Sequence, residues 1–500
     1  MLRMTKTENG LVKGFPGTDA RITVYKGIPF AADTSGENRW RPPQPAQDWE
    51  GVRECYDFGP IAMQKIPGLD PDAFYSKEWH VDPEVPMSED ALRVNIWTPA
   101  KTADEKLPVM LWIHGGGLQE GYAHEMEFDG ERIASRGVIL ASIGYRLNVF
   151  GLLCHPEISA ENPDAPANFA FQDQKAGIEW VKRNIANFGG DPDNITIFGQ
   201  SAGAFSVMAQ LCSPQTKGLF QKAIVESIGA IGILYPNSRP MPTMTLEEAE
   251  QLGVEFFERI GAKSLAEARA MDAQYIEDKF IEGDYFWGAV VDGKYLVKST
   301  NETIVANEVH NVPIMVGNTT NEFILAPDEG ETPEAFVERT MGKYAEEYLD
   351  ICKRTGLPLD EAVAVGQMDL GNKVMYALCA EQGRTLYSYL FGPTIPGDDA
   401  GAFHSADLWF QFETLMKCWR PFDGHHYDLA RMICNYWTNF AKNGDPNGLD
   451  NNGTPMPEWR PYTTEDPHSI EFFDTIQMEE GDVSEKDAFL VKINLDELRK

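Results

Sequence analysis

Positive charge is what this 500-residue chain has least of: 43 Lys and Arg stand against 77 Asp and Glu, a formal net charge of −34. A chain that acidic repels polyphosphate, which argues against nucleic acid as a partner. Long apolar runs are also missing. Nowhere do 18 consecutive apolar residues occur, and the opening MLRMTKTENGLVKG has no apolar stretch of leader length. No membrane span is expected, and the chain reads as soluble and cytoplasmic, with secretion behind a removed leader as the alternative. The seven cysteines, at 55, 154, 212, 352, 379, 418 and 434, are odd in number and none forms a CxxC pair. Neither a disulfide framework nor a zinc site is expected, and the thiols read as small apolar fillers. No low-complexity block, charged tail or repeat interrupts the chain. What is present is ordinary for a globular protein: 43% hydrophobic and 11% aromatic residues, enough to build a core without staples.

Short β-branched runs alternate with longer helical stretches. Val109–Ile113, Val138–Ser142, Ile195–Phe198, Ala223–Val225, Val312–Val316 and Leu386–Leu390 have the length of strands buried on both faces. Asp173–Ile185 reads as a helix with Ile178, Val181 and Ile185 on one stripe, ended by Phe188-Gly-Gly-Asp-Pro192. Such alternation predicts an α/β fold, a mostly parallel sheet with helices on both faces. Leu11–Phe30, punctuated by Gly14, Pro16 and Gly17, suits an antiparallel N-terminal edge hairpin. Residues 240–290 and 331–382 read as helix-rich insertions that cap a pocket. No linker divides the chain, so residues 1–500 are read as a single domain.

Gly199-Gln-Ser-Ala-Gly203 places a serine between flanking glycines, with a strand candidate before it and an apolar helix candidate, Ala204–Leu211, after it. A strand–turn–helix setting is what a nucleophile elbow requires, because the turn is too tight for a Cβ at either flank. The alternative is a plain glycine turn carrying an idle serine. His114-Gly-Gly-Gly117 follows another strand candidate. Three glycines allow backbone N–H groups to point into a cavity, and the amides of Gly116 and Gly117, with that of Ala202, are the expected oxyanion donors. Each such donor is worth about 3 kcal/mol in acyl transfer. A phosphate loop would want Lys-Ser or Lys-Thr behind it, and Leu118-Gln119-Glu120 supplies neither.

A serine hydroxyl needs a neighbouring base. His404, in a loop after Leu386–Leu390, is the candidate; His425 and His426 are rivals that look like a helix start. The orienting acid should lie between serine and histidine in chain order. Glu322, just past a strand candidate, is in place, although a solvated loop carboxylate is the commoner fate of one among 77 acids.

At this point the sequence resembles the type-B carboxylesterase family, the cholinesterase-like branch of the α/β-hydrolases, and within it the bacterial para-nitrobenzyl-esterase type. Tyr25–Ala31, Arg39–Pro43, Ser88–Leu92 with Asn95–Pro99, Asn168–Gln174, Phe188–Pro192 and Phe198–Gly203 carry the likeness over nearly the whole chain. The resemblance implies an α/β-hydrolase fold and places the family's acid on Glu322, its base on His404 and a second, buried serine on Ser227. The triad it implies is Ser201–Glu322–His404. Departures are equally specific. Ala91 stands where secreted members carry the first cysteine of a disulfide, and Ile61-Ala62-Met63 holds no partner cysteine. Gln200 replaces a glutamate that often precedes the nucleophile, which argues against strong selection for choline-type cations. Leu118 replaces an aromatic after the glycines and should alter the pocket wall. Trp79 lies two residues from the place of a choline-stacking tryptophan. Tyr285 and Trp287 stand where the family builds its acyl pocket, and core packing is the alternative for both.

The expected activity is hydrolysis of small aryl or alkyl carboxylic esters through an acyl-enzyme, with no metal or cofactor. Activity should fall as acid protonates the imidazole. Hydroxycinnamoyl esters, amides and carbamates are alternative substrates for the same machinery, and a non-catalytic binding module is the remaining alternative. The partner expected is a small-molecule ester, with no nucleic acid and no membrane, acting on a monomer or weak homo-oligomer.

Overall fold

A computed structural model describes residues 1–79, 81–228, 243–283 and 285–500. Its framework is an eleven-stranded sheet: β1 (Phe15–Pro16), β2 (Thr23–Pro29), β3 (Arg93–Thr98), β4 (Leu107–Ile113), β5 (Ile139–Ile143), β6 (Gly190–Gln200), β7 (Lys222–Glu226), β8 (Ile314–Thr319), β9 (Leu386–Phe391), β10 (Ile470–Phe472) and β11 (Ile476–Met478). The spatial order is β11-β10-β9-β8-β7-β6-β4-β5-β3-β2-β1. From β5 through β10 every pairing is parallel; β1, β2 and β3 at one edge and β11 at the other are antiparallel.

The central strands read as unbroken apolar runs because both faces are covered. Alternate residues feed two cores: Val109, Leu111 and Ile113 of β4 join one, Met110 and Trp112 the other. Nine helices matter below: α1 (Phe74–Trp79), α2 (Phe169–Asn184), α3 (Ala202–Cys212), α4 (Leu246–Ile260), α5 (Ala273–Gly283), α6 (Pro333–Met341), α7 (Ala345–Arg354), α8 (Gln367–Glu381) and α9 (Gly424–Asn443). Ile178 and Val181 of α2 and Val207 and Leu211 of α3 pack into the first core, and Ile433, Trp437 and Phe440 of α9 into the second, so helices cover both faces. The expected α/β architecture is present.

The two segments read as insertions are helical. The first holds α4 and α5, with its opening residues 240–242 outside the described chain, and the second holds α6, α7 and α8. The N-terminal hairpin is narrower than the sequence suggests. Phe15–Pro16 and Thr23–Pro29 form it, but Leu11–Lys13 leaves for a separate sheet with Met4–Lys6 and Val52–Glu54. Gly14 marks the departure: a Cβ there would lie 2.6 Å from the Val24 carbonyl oxygen, so only glycine lets the chain cross β2 so closely.

A buried ion pair fixes α2 against the chain leaving β5. Arg146 donates to both carboxylate oxygens of Asp173 at 2.7 Å, and the two side chains are 4% and 0% exposed. Asp173→Ala should strand the guanidinium in the core and cost about 3–5 kcal/mol of folding stability. Urea unfolding of the purified variant measures this, and a loss below about 1 kcal/mol would show that water reaches Arg146.

Candidate active site

The end of β6 and the start of α3 meet at Ser201, whose backbone takes φ 56° and ψ −123°. A non-glycine residue there is strained by about 1–3 kcal/mol and persists only where its surroundings impose it. The surroundings are visible. A Cβ on Gly199 would lie 2.6 Å from the Ile113 carbonyl oxygen, and one on Gly203 only 2.1 Å from it. Both glycines of the motif are therefore demanded by the end of β4, where Ile113 pairs with Gly199. The Ser201 amide donates to the Glu226 carbonyl at 2.9 Å and completes the clamp.

The loop after β4 runs against this bend. An ideal Cβ on Gly115 would sit 3.2 Å from the Ser201 Cβ, and one on Gly116, at φ 97°, only 2.0 Å from the Glu120 carbonyl oxygen. Among the described residues, no acceptor in the protein meets the amides of Gly116 and Gly117. Ala202 opens α3, where the first amides of a helix have no intrahelical acceptor. The three amides named from the sequence are thus free to bind an anion. His114 points elsewhere, buried and stacked on Tyr145, with burial pulling its pKa down to about 4.

Glu322 and His404 arrive on loops beyond β8 and β9. Those loops are tied together by the Asn321 amide on the Ala402 carbonyl at 3.1 Å and the Ala402 amide on Asn321 Oδ1 at 3.1 Å. Glu322 Oε2 lies 2.6 Å from His404 Nδ1, with the side chains 3% and 11% exposed. Burial works to raise the Glu322 pKa. The imidazole beside it, the hydrogen bond to that ring, the Ser227 hydroxyl and the Thr319 amide outweigh burial and hold it below the ordinary range. A carboxylate at Nδ1 fixes the proton there and leaves Nε2 as a bare lone pair. That lone pair faces the Gln200 side-chain amide nitrogen at 3.3 Å. Ser201 and His404 line one cavity, and among the described residues no hydrogen bond joins the two side chains. His425 and His426, by contrast, lie in the first turn of α9 behind the Asp423 cap.

Sequence reasoning passed over the carboxyl groups behind this pair. Asp407, three residues after His404, is 2% exposed and accepts from the Tyr389 hydroxyl at 3.1 Å. Burial, and then the charge of Glu322, push its pKa up to about 7. Glu226 accepts from Trp437 at 2.7 Å and Gln411 at 2.9 Å, and burial followed by the charge of Asp407 raises its pKa well above the ordinary range. The arrangement concentrates negative charge on Glu322. Only the positions of Asp407 and Glu226 beside a histidine loop and a serine turn hinted at this.

The cavity holding Ser201 and His404 has a volume of about 630 Å³. Trp79 and Gln200 line it, together with Gln367 and Met368 from the second insertion. Three other sequence candidates do not reach its walls. Leu118 is fully buried at φ 61°, its carbonyl accepting from the Asn148 amide at 2.7 Å. Trp287 is fully buried, edge-on to Phe256 and stacked on Tyr285 and Phe280. Tyr285 is half-buried, and both rings pack on Phe256 of α4, with Trp287 also on Phe280 of α5. Trp79 ends α1, which is pinned by Glu78. That carboxylate accepts from Trp409, Trp419 and Arg420, each at 3.0 Å, while Tyr75 of α1 donates to the His404 carbonyl at 3.2 Å.

A parallel sheet wrapped by helices, with a serine bend beyond a central strand and an acid–imidazole pair beyond two later ones, defines an α/β-hydrolase. The chain matches the carboxylesterase family over residues 2–351 and 359–490, and it belongs to that family. It is 32% identical to the para-nitrobenzyl esterase of Bacillus subtilis (strain 168) over 97% of each chain. It is 31% identical to the cocaine esterase of Oryctolagus cuniculus over 88% of each. Among solved structures, the carboxylesterase of Geobacillus stearothermophilus superposes with a TM-score of 0.76 at 30% identity, covering 98% of this chain and 99% of that one. Carboxylic ester hydrolysis is the reaction class these relationships support. No helix among the described residues is long and apolar enough to cross a membrane.

The raised Asp407 has a consequence for stability. The native state keeps a proton that the unfolded chain releases near pH 4, so this contribution is complete below about pH 4 and is lost as pH rises through about 7. Asp407→Asn removes the liability. Thermal unfolding from pH 4 to 8 should show the parent's midpoint falling relative to the variant's, and parallel curves would refute the assignment.

Proposed function

We propose that the chain is a serine carboxylesterase that works through an acyl-enzyme, with small aryl and alkyl esters as substrates. The observation that carries this reading is a strained serine beside three unengaged amides, in one cavity with an imidazole whose other nitrogen is held by a buried carboxylate.

His404 Nε2 takes the proton of Ser201 Oγ as that oxygen attacks the ester carbonyl, and the Gly116, Gly117 and Ala202 amides stabilise the oxyanion. His404 then passes the proton to the leaving alcohol as the carbon–oxygen bond breaks. Water, deprotonated by the same ring, releases the acid. Glu322 fixes the tautomer and steadies the imidazolium. Gln200 is the obstacle in the resting site, because its amide occupies the lone pair the serine needs. Substrate entry must turn that amide aside. The likeness to a para-nitrobenzyl esterase and a cocaine esterase supports an ester with an aromatic part.

Ser201→Ala should lower kcat on a chromogenic aryl ester by about 10⁴-fold or more and abolish labelling by a fluorophosphonate probe. Turnover at more than a few per cent of the parent rate would overturn the nucleophile assignment. Gln200→Glu sets a carboxylate against Nε2 and favours the protonated ring. The acid limb of the kcat/KM profile should then move to higher pH by about one unit. A limb that stays in place would mean that residue 200 does not rest against the imidazole in the free enzyme.

A further inference from the structure

The loop that carries the Gly116 and Gly117 amides is fastened at few points. Within it, the Gln119 and Glu120 amides turn back onto the Gly116 carbonyl at 2.9 and 3.0 Å. At its far end Gln64, fully buried, donates to the Gly121 carbonyl at 3.1 Å and accepts from the Gly121 amide at 2.9 Å. Between these points, the polar grip among the described residues comes from Asn148, which is 1% exposed and opens the helical turn Asn148–Leu152 beyond β5.

The Asn148 backbone sits at φ 45°, in the left-handed region that asparagine tolerates better than most residues. From there its N–H donates to the Leu118 carbonyl at 2.7 Å, and Leu118 is itself left-handed at φ 61°. The side chain adds more. Nδ2 faces the Met63 carbonyl at 2.9 Å and, at 3.3 Å each, the Gln119 carbonyl and Glu277 Oε1. Two hydrogens thus serve three acceptors, while Oδ1 accepts from the Phe150 amide at 3.2 Å, so the amide has one satisfactory orientation. Glu277 brings the first insertion into this junction. It belongs to α5, is 1% exposed, and its Oε2 has no hydrogen-bond partner among the described residues. Burial, and then the charge of Asp278, push its pKa up to about 8, so near pH 7 it meets Asn148 as an uncharged acceptor. Glycine would suit the left-handed backbone as well. What glycine lacks is the amide that joins three segments: the chain at residue 63, the glycine loop and α5.

We propose that Asn148 is the positioning residue of the oxyanion loop: its side-chain amide fixes the Leu118–Gln119 segment, and through it the Gly116 and Gly117 amides, with Glu277 steadying it from the first insertion. The inference rests on the esterase reading, since acyl transfer is what sets an oxyanion before these amides. Asn148 is not among the described residues that line the cavity, so it acts through the loop. An oxyanion donor is effective only when held where charge develops, and small displacements are costly. The loss of Asn148 is therefore felt when the tetrahedral species forms and not when the ester binds.

Asn148→Gly tests this, because it keeps the backbone N–H and the left-handed φ and deletes the side-chain contacts. On a chromogenic aryl acetate kcat should fall about tenfold. Acylation and deacylation both pass through an oxyanion, so KM should stay within about twofold of the parent's. A trifluoromethyl ketone, whose carbonyl carbon takes up Ser201 Oγ to leave an oxyanion, should bind about tenfold more weakly, in step with kcat. The acid limb of the kcat/KM profile should not move, because Glu322 and His404 keep their partners. Glu277→Leu should lower kcat about threefold in the parent and add nothing in Asn148→Gly, since it acts through Asn148. A variant that melts normally and keeps kcat within about twofold overturns the proposal, as does a lower kcat with undiminished affinity for the ketone. If Asn148→Gly yields no folded protein, Glu277→Leu decides: a loss of about threefold in kcat at constant KM supports the proposal, and an unchanged kcat overturns it. A parent that turns over no ester removes the esterase reading and this inference with it, whereas an active parent matched by Asn148→Gly removes this inference alone.

Discussion

Close contact between two backbone segments governs the centre of this molecule. The last carbonyl of β4 lies where side chains at residues 199 and 203 would otherwise stand, so the chain leaving β6 has room only for glycine on either side of Ser201. That crowding produces the positive φ of the serine, sets the beginning of α3 beneath it, and brings the Gly115–Gly117 loop against its Cβ. A single steric constraint, of a few kcal/mol at most in strain, thereby assembles hydroxyl and amides without a ligand to hold them.

Charge is distributed around that centre as deliberately as space is. Three acids lie within the buried neighbourhood of His404, and a neutral imidazole would be pulled in conflicting directions if all of them ionised. Desolvation and mutual repulsion keep Asp407 and Glu226 protonated far beyond the usual range, whereas four favourable contacts keep Glu322 charged. The differential comes from hydrogen-bond donors rather than from depth, since the side chains of all three are buried. Donors to Glu322 are an imidazole and a backbone amide, and Asp407 has only a phenol.

How far these features could be read from residues alone depended on whether backbone or side chain was in question. The two glycine motifs were legible because they record where main chain approaches main chain, and no other residue type answers that need. The strands were legible because both faces are buried, which leaves an unbroken apolar run. Glu322 and His404 needed the family likeness, since each is an ordinary loop residue until the fold brings β8 and β9 together. Leu118, Tyr285 and Trp287 show the opposite limit. Their positions were visible, but their direction was settled by Asn148, Phe256 and Phe280, partners that spacing does not reveal. The engagement of Gln200 with His404 likewise belongs to side-chain placement and left no pattern in the sequence.

The short helix α1 has an importance out of proportion to its six residues. Its polar attachment is gathered largely at one carboxylate, Glu78, which takes two indoles and a guanidinium from the segment 409–420. Its outward residues, Tyr75 and Trp79, are cavity wall, and Tyr75 also rests on the backbone of His404. Loosening at that one junction would therefore release the wall as a unit while the sheet stayed intact, because no strand depends on it. Heat-induced loss of substrate discrimination should precede global melting, and the enzyme's working temperature would be set by a local latch rather than by the strength of its core.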